Sequence, residues 1–186
     1  METKTALLDS AEMLVRRRGF DGFSFADLEG DVGIRKASIH YHFPTKGDLS
    51  HALMTRYAEV FSGRLDAITT QHRTAGARLL AFIDLYRQAM DGGRSLCLCV
   101  ALSVTQGALP DGTRAALELF HHAVTAWLET VFRLACTDGT VAAVTDPRAE
   151  AAAALAQAEG AQVMGRAARD PARFEVAITT LRARAL

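Results

Sequence analysis

The sequence predicts an all-α protein of about nine helices. Three observations carry this. Apolar residues recur at helical spacing along most of the chain, as in Leu79, Phe82, Ile83, Tyr86 and Met90. The composition is rich in Ala and Leu with only four prolines, which favours helices over sheets. No stretch shows the strict apolar–polar alternation of a half-buried strand. At 186 residues the chain can hold one domain or two small ones.

Thr3 to Arg18 reads as an amphipathic helix. Leu7, Ala11, Leu14 and Val15 share one stripe, and Glu12 and Arg16 form an i,i+4 pair on another. Arg16, Arg17 and Arg18 lie where the helix dipole favours cations; contact with phosphate is the alternative use for them. Gly19 stops this helix and Phe20 folds back on it. Ser24 is placed to cap a second helix over Phe25 to Asp31, with Phe25, Leu28 and Val32 at helical spacing. Gly33 stands where a tight turn needs tolerance of positive φ. A third helix runs from about Arg35 to His42, and Phe43-Pro44 ends it, because the residue before a proline is driven out of the α region. Helices this short bury no core alone, so the first helix and the start of the fourth must pack on them.

Thr45 caps the fourth helix, which runs to about Thr70 with Leu49, Ala52, Leu53, Tyr57, Val60 and Phe61 on its buried side. The fifth carries the Leu79-to-Met90 stripe and is stopped by Asp91-Gly92-Gly93. Leu96 to Gln106 is a short, nearly uncharged helix, and Ala108 to Gly112 a turn. Thr113 to Cys136 is long, with Leu117, Phe120, Val124, Trp127, Leu128 and Val131 inward. Pro147, behind Asp146, suits the first position of an eighth helix reaching about Arg169. Asp170-Pro171 repeats the device for the ninth.

The third helix turns an unusual set outward: Arg35, Lys36, Ser38, His40, Tyr41 and His42. Arg and Lys reach phosphates or guanine edges, Ser and Tyr bond phosphate oxygens, and Ala37 lets the backbone come close. The stretch GIRKASIHYHFPTK, preceded by a capped helix and by RRRGFDGFS, closely resembles the N-terminal DNA-binding domain of TetR-family transcriptional regulators. The resemblance covers roughly residues 3–61. It implies a helix-turn-helix domain over 1–61, and a ligand-binding and dimerisation domain over 62–186. The implied DNA contacts are Ser24, Arg35, Lys36, Ala37, Ser38, His40, Tyr41, His42 and Lys46, with Lys4 a further phosphate contact. Two positions depart from the family: it usually has Tyr where this chain has His40 and Ala where it has Glu29. The first bears on phosphate contacts or base preference. The second puts an acid on the first helix of the motif and weakens DNA affinity.

The same resemblance implies a ligand pocket among the middle helices. Its candidates are Phe82, Tyr86, Met90, Cys99, Ser103, His122 and Trp127, with Phe120, Gln106 and His121 beside them; for each taken singly, core or surface is the reading to beat. The last two helices would pair with their two-fold mates. Small residues along AEAAAALAQAEGAQVMGRAAR allow such a close approach, or a central place in a monomer core.

Charge and cysteine bound the rest. Lys+Arg and Asp+Glu are 21 each, and residues 1–61 hold 8 basic and 9 acidic side chains, a net of −1. All three lysines lie within the first 46 residues, and no acid falls between Val32 and Gly47. A local cationic face on a neutral body predicts modest non-specific affinity and a shallow salt slope. Three cysteines are an odd count, and Cys97 and Cys99 point apart on a helix, so a reduced, cytoplasmic protein is expected. Both thiols read as small hydrophobes; the sharper alternative is a sensing thiol. Neither histidine pair has metal spacing with a carboxylate or thiol near it in sequence, so neither metal nor cofactor is expected. No apolar run is long enough to cross a membrane.

The expected protein is a homodimeric, ligand-responsive repressor with a palindromic DNA operator, a small-molecule effector and no membrane partner. Two alternatives stay open. One is an interaction module whose reading head has degenerated, as Glu29 and the neutral charge suggest. The other is a helical enzyme using Cys97 or Cys99 with a histidine. No Gly-rich phosphate loop, nucleophile elbow or paired-carboxylate motif supports it, so the chain is read as no enzyme.

Overall fold

The computed structural model describes residues 3–105, 107 and 109–186. Among these the chain forms nine α-helices: α1 Thr3–Arg18, α2 Phe25–Val32, α3 Lys36–His42, α4 Lys46–Gln71, α5 Ala75–Ala89, α6 Leu98–Ser103, α7 Asp111–Asp138, α8 Pro147–Ala168 and α9 Ala172–Arg182. The one extended contact among the described residues is an isolated antiparallel bridge between Val141 and Ala185.

Most boundaries have a local cause. Gly19 and Gly33 end α1 and α2 with φ of +79° and +73°, and their N–H groups donate to Val15 O and Glu29 O. Asp146 caps α8, accepting from the N–H groups of Arg148 and Ala149. The fifth helix ends at Ala89, and Asp91, Gly92 and Gly93 stop it with positive φ, the Met90 and Asp91 N–H groups meeting the Arg87 and Gln88 carbonyls. Three expectations need correction. The sixth is Leu98–Ser103; Leu96 lies outside it, and Gln106 and Ala108 lie outside the described residues. The seventh begins at Asp111, because Pro110 O accepts the Arg114 N–H and opens the first turn early. Val60, placed on the buried side of α4, is exposed, while Met54 is fully buried.

The chain divides into two compact units, one holding residues up to Glu59 with Leu98–Phe120, the other Val60–Cys97 with His121–Leu186. The first unit contains α1–α3, the start of α4, α6 and the start of α7. Leu7, Ala11, Leu28, Ile39, Leu49 and Leu53 form its core, all without exposed surface. Arg56 ties α4 to α1 by bonds to Asp9 and Glu12. Ser50 and Thr113 share a buried 2.7 Å hydrogen bond between α4 and α7. The Gly107 N–H donates to Asp21 at 3.1 Å, so the segment after α6 is held to the α1–α2 turn.

In the second unit α8 packs on α5 and α9. Its small residues divide between two faces. Ala151, Ala154, Ala158 and Ala161 are buried against the chain itself, whereas Val163 and Met164 face outward. Buried Gln162 crosslinks this unit, accepting from the Cys97 N–H at 2.9 Å and donating to Tyr86 O. Gly76 meets the end of α7 so closely that a Cβ there would lie 2.5 Å from Thr140 O.

Asp138 closes the same corner, accepting from the N–H groups of Ala75 and Thr140. Burial alone would raise its pKa, but these bonds and the Thr140 hydroxyl outweigh it and hold the carboxyl below its ordinary 3.8. A lowered carboxylate pKa gives stability that is complete above the unfolded value and lost as pH falls through the folded one. Asp138→Asn is therefore expected to melt earlier than wild type at about pH 7, with the gap closing below about pH 4. Thermal melts across that range check this, and a gap independent of pH would contradict it.

Candidate nucleic-acid interface

The surface begins with how α2 and α3 are locked. The Asp27 carboxylate accepts from both the Ser24 N–H and the Ser24 hydroxyl at 2.8 Å, while Arg18 reaches its other oxygen at 3.0 Å. The Ser24 hydroxyl, the Ser24 N–H and Arg18 together hold the Asp27 carboxyl below its usual range. Ser10 fixes Asp31 at 2.9 Å. Thr45 and Asp48 cap α4 reciprocally. The Ser-x-x-Asp and Thr-x-x-Asp spacings were visible in sequence; that their acids would be occupied within the protein was not.

Helix α3 is anchored by Ile39, which is fully buried, and by Phe43 behind it. Its N-terminus carries Arg35, whose side chain makes no capping bond. Instead Glu29, reaching over from α2, accepts the Lys36 N–H at 3.3 Å. Arg35, Lys36, Ala37, Ser38, His40 and Tyr41 are exposed, Tyr41 at 85%, and His42 is half-buried. Among the described residues no carboxylate pairs with the Arg35 or Lys36 side chain. His40 differs from its neighbours. Its Nδ1 lies 3.1 Å from Pro44 O and its ring 5.0 Å from Phe25, edge to face. It serves partly as a brace for the end of α3.

Lys46, expected as a phosphate contact, also makes contacts within the chain. Its ammonium lies 4.6 Å from the Phe20 ring and 4.3 Å from the Phe23 ring, and donates to Phe23 O. Burial lowers its pKa from the usual lysine value, with Asp21 and Asp27 opposing the shift. Lys4 is exposed, 6.0 Å above the Phe43 ring.

The ligand candidates scatter. Phe82 and Tyr86 are buried on α5, and Met90 is buried just past its end. Phe82 sits 5.0 Å from Tyr86 and 6.0 Å from half-buried Trp127 by ring centroid, and the Trp127 indole donates to Thr69. His122 is exposed; its neighbour His121 turns inward, 3.2 Å from Glu159. Cys99 is buried in α6, and exposed Ser103 donates to the Cys99 carbonyl.

The family model for bacterial regulatory proteins of the tetR family matches residues 7–53, and that for the tetracyclin repressor-like C-terminal domain matches residues 75–181. The chain belongs to the TetR family. Among curated relatives, this TetR-family chain is 31% identical over 147 residues to the transcriptional regulator AcuR of Cereibacter sphaeroides, covering 77% of this chain and 67% of that one. It is 32% identical over 91 residues to the regulator CymR of Pseudomonas putida, covering 49% and 41%. The matches to CymR and to NemR of Escherichia coli span less than two thirds of those relatives. Among solved structures, a TetR-family regulator from Agrobacterium tumefaciens aligns with a TM-score of 0.92 and 27% identity over 98% of this chain and 97% of that one. The all-helical fold and the helix-turn-helix regulator class follow for this TetR-family protein.

Lys46→Met is expected to lower stability by about 1–2 kcal/mol, as a cation–π box and a hydrogen bond are lost together. Denaturant melts read the loss, and an unchanged midpoint would deny Lys46 its clamping role.

Proposed function

We propose that this regulator is a ligand-responsive repressor that binds a palindromic operator as a homodimer. What supports it most is the exposed face of α3: Arg35, Lys36, Ser38 and Tyr41 stand outward on a helix whose other side is pinned by Ile39 and Phe43. Free donors on a fixed helix are what a major groove requires. Ser24, Ala37, His40, His42 and Lys46 complete the proposed DNA contacts. Residues 1–61 are the DNA-binding part, and 62–186 take the effector and the second copy.

One short reading helix contacts few base pairs, so two must act together. Val163 and Met164 on α8 and Val176 on α9 are exposed apolar side chains that suit pairing with a second copy. The aromatic group of Phe82, Tyr86 and Trp127 suits an apolar effector with a polar tip; Met90, Cys99, Ser103 and His122 are the other candidates that the resemblance implies. Helix α4 runs unbroken from Lys46 to Gln71, so displacement at one end is carried to the other. Effector and DNA would oppose each other by about 1–3 kcal/mol.

Selection of bound sequences from a random DNA pool tests the function directly. A palindrome of two similar half-sites is expected; no motif from a folded dimer would defeat the reading. Arg35→Ala and Lys36→Ala should each weaken binding and lower the salt slope by about 1, with melting unchanged. Fluorescence anisotropy at several salt concentrations measures this, and unaltered affinity would remove both residues from the interface. Met164→Lys should shift the protein toward monomer in sedimentation; a dimer as tight as wild type would place the interface elsewhere.

A further inference from the structure

The acids around the reading helix are not equivalent. Asp27 is held by Ser24 and Arg18, Asp31 by Ser10, Asp48 by Thr45, and Asp21 by the Gly107 N–H. Glu29 is different. One carboxylate oxygen, Oε1, accepts the Lys36 N–H at 3.3 Å. Among the described residues its side chain makes no other hydrogen bond or ion pair, so Oε2 has no partner within the chain. That single bond holds the half-buried carboxylate against the first N–H of α3, one residue after Arg35.

We propose that Glu29 is a specificity-determining residue that reads a cytosine through Oε2. This rests on the DNA-reading function proposed above. A carboxylate only accepts hydrogen bonds, and cytosine N4 is a major-groove donor with no acceptor edge of its own in that groove. Guanine offers O6 and N7, thymine offers O4, and adenine sets N7 beside its amino group, so each places a lone pair against the carboxylate. Phosphates are repelled for the same reason. Glu29 therefore favours a site with cytosine at one position and disfavours all others, including non-specific DNA. The Lys36 N–H contact is what makes the residue selective, since it keeps a flexible side chain in one place.

The test is pool selection at one salt concentration with wild type, Glu29→Gln and Glu29→Ala, followed by affinities on the selected duplex. Wild type is expected to require cytosine at one position of each half-site. Glu29→Gln should accept adenine there as well, because an amide pairs with adenine N6 and N7. Glu29→Ala should lose preference at that position alone. Replacing the cytosine should cost wild type about tenfold in affinity and cost Glu29→Ala nothing. Three identical motifs would overturn the proposal. So would a uniform loss of affinity in Glu29→Ala with earlier melting, which would confine Glu29 to holding α3. A wild type that selects no motif would remove the parent function and this role with it, before any variant is compared.

Discussion

An ammonium group held between two aromatic rings sets the corner on which α3 depends. Lys46 is the first residue of α4, and its side chain closes onto Phe20, Phe23 and the Phe23 carbonyl. Everything from Phe23 to Lys46 becomes a loop with its ends tied, and α2 and α3 lie inside it. Closing such a loop costs chain entropy once; thereafter Ile39 and Phe43 hold α3 with little further ordering. Aromatic faces offset part of the cost of desolvating the charge, and Asp21 and Asp27 add attraction. A helix too short to persist alone is thereby given a fixed exposed side.

Much of this was legible beforehand. Helical periodicity, glycines at positions needing positive φ and the Phe43-Pro44 stop placed α1 to α4 within a residue or two of their observed ends. The short α6 was overextended, because an apolar run such as Leu96 to Leu102 carries no period that distinguishes helix from buried coil. Val60 was misplaced because helical spacing names a stripe, while the width of that stripe is set by the neighbour that covers it. At the site, residue types were readable and directions were not. Lys46 could be assigned to the first turn of α4, yet whether its ammonium faces solvent or two rings depends on Phe20 and Phe23 folding back. Glu29 was recognisable as an unusual acid; its bond to the Lys36 N–H depends on the α2–α3 turn angle.

The second unit relies on different chemistry. Gln162, a neutral amide without exposed surface, joins a segment before α6 to the last turns of α5 by satisfying one donor and one acceptor that would otherwise be buried unmet. Gly76 lets the Thr140 backbone approach where a side chain would collide, and Gly165 leaves room for the end of the Met90 side chain. These contacts leave the outer faces of α8 and α9 unused within the chain.

The near-neutral charge of the first unit has a consequence for life inside a cell. Several of its acids, Asp27, Asp31 and Asp48 among them, are occupied by internal partners, and its cationic surface is small. Attraction to bulk chromosome grows with the number of phosphates engaged, so a protein built this way spends less of its time on irrelevant sequence. Fewer copies per cell then suffice to occupy a target, because a smaller share is lost to the excess of competing sites. The same economy shortens the delay between a change in conditions and a change in occupancy.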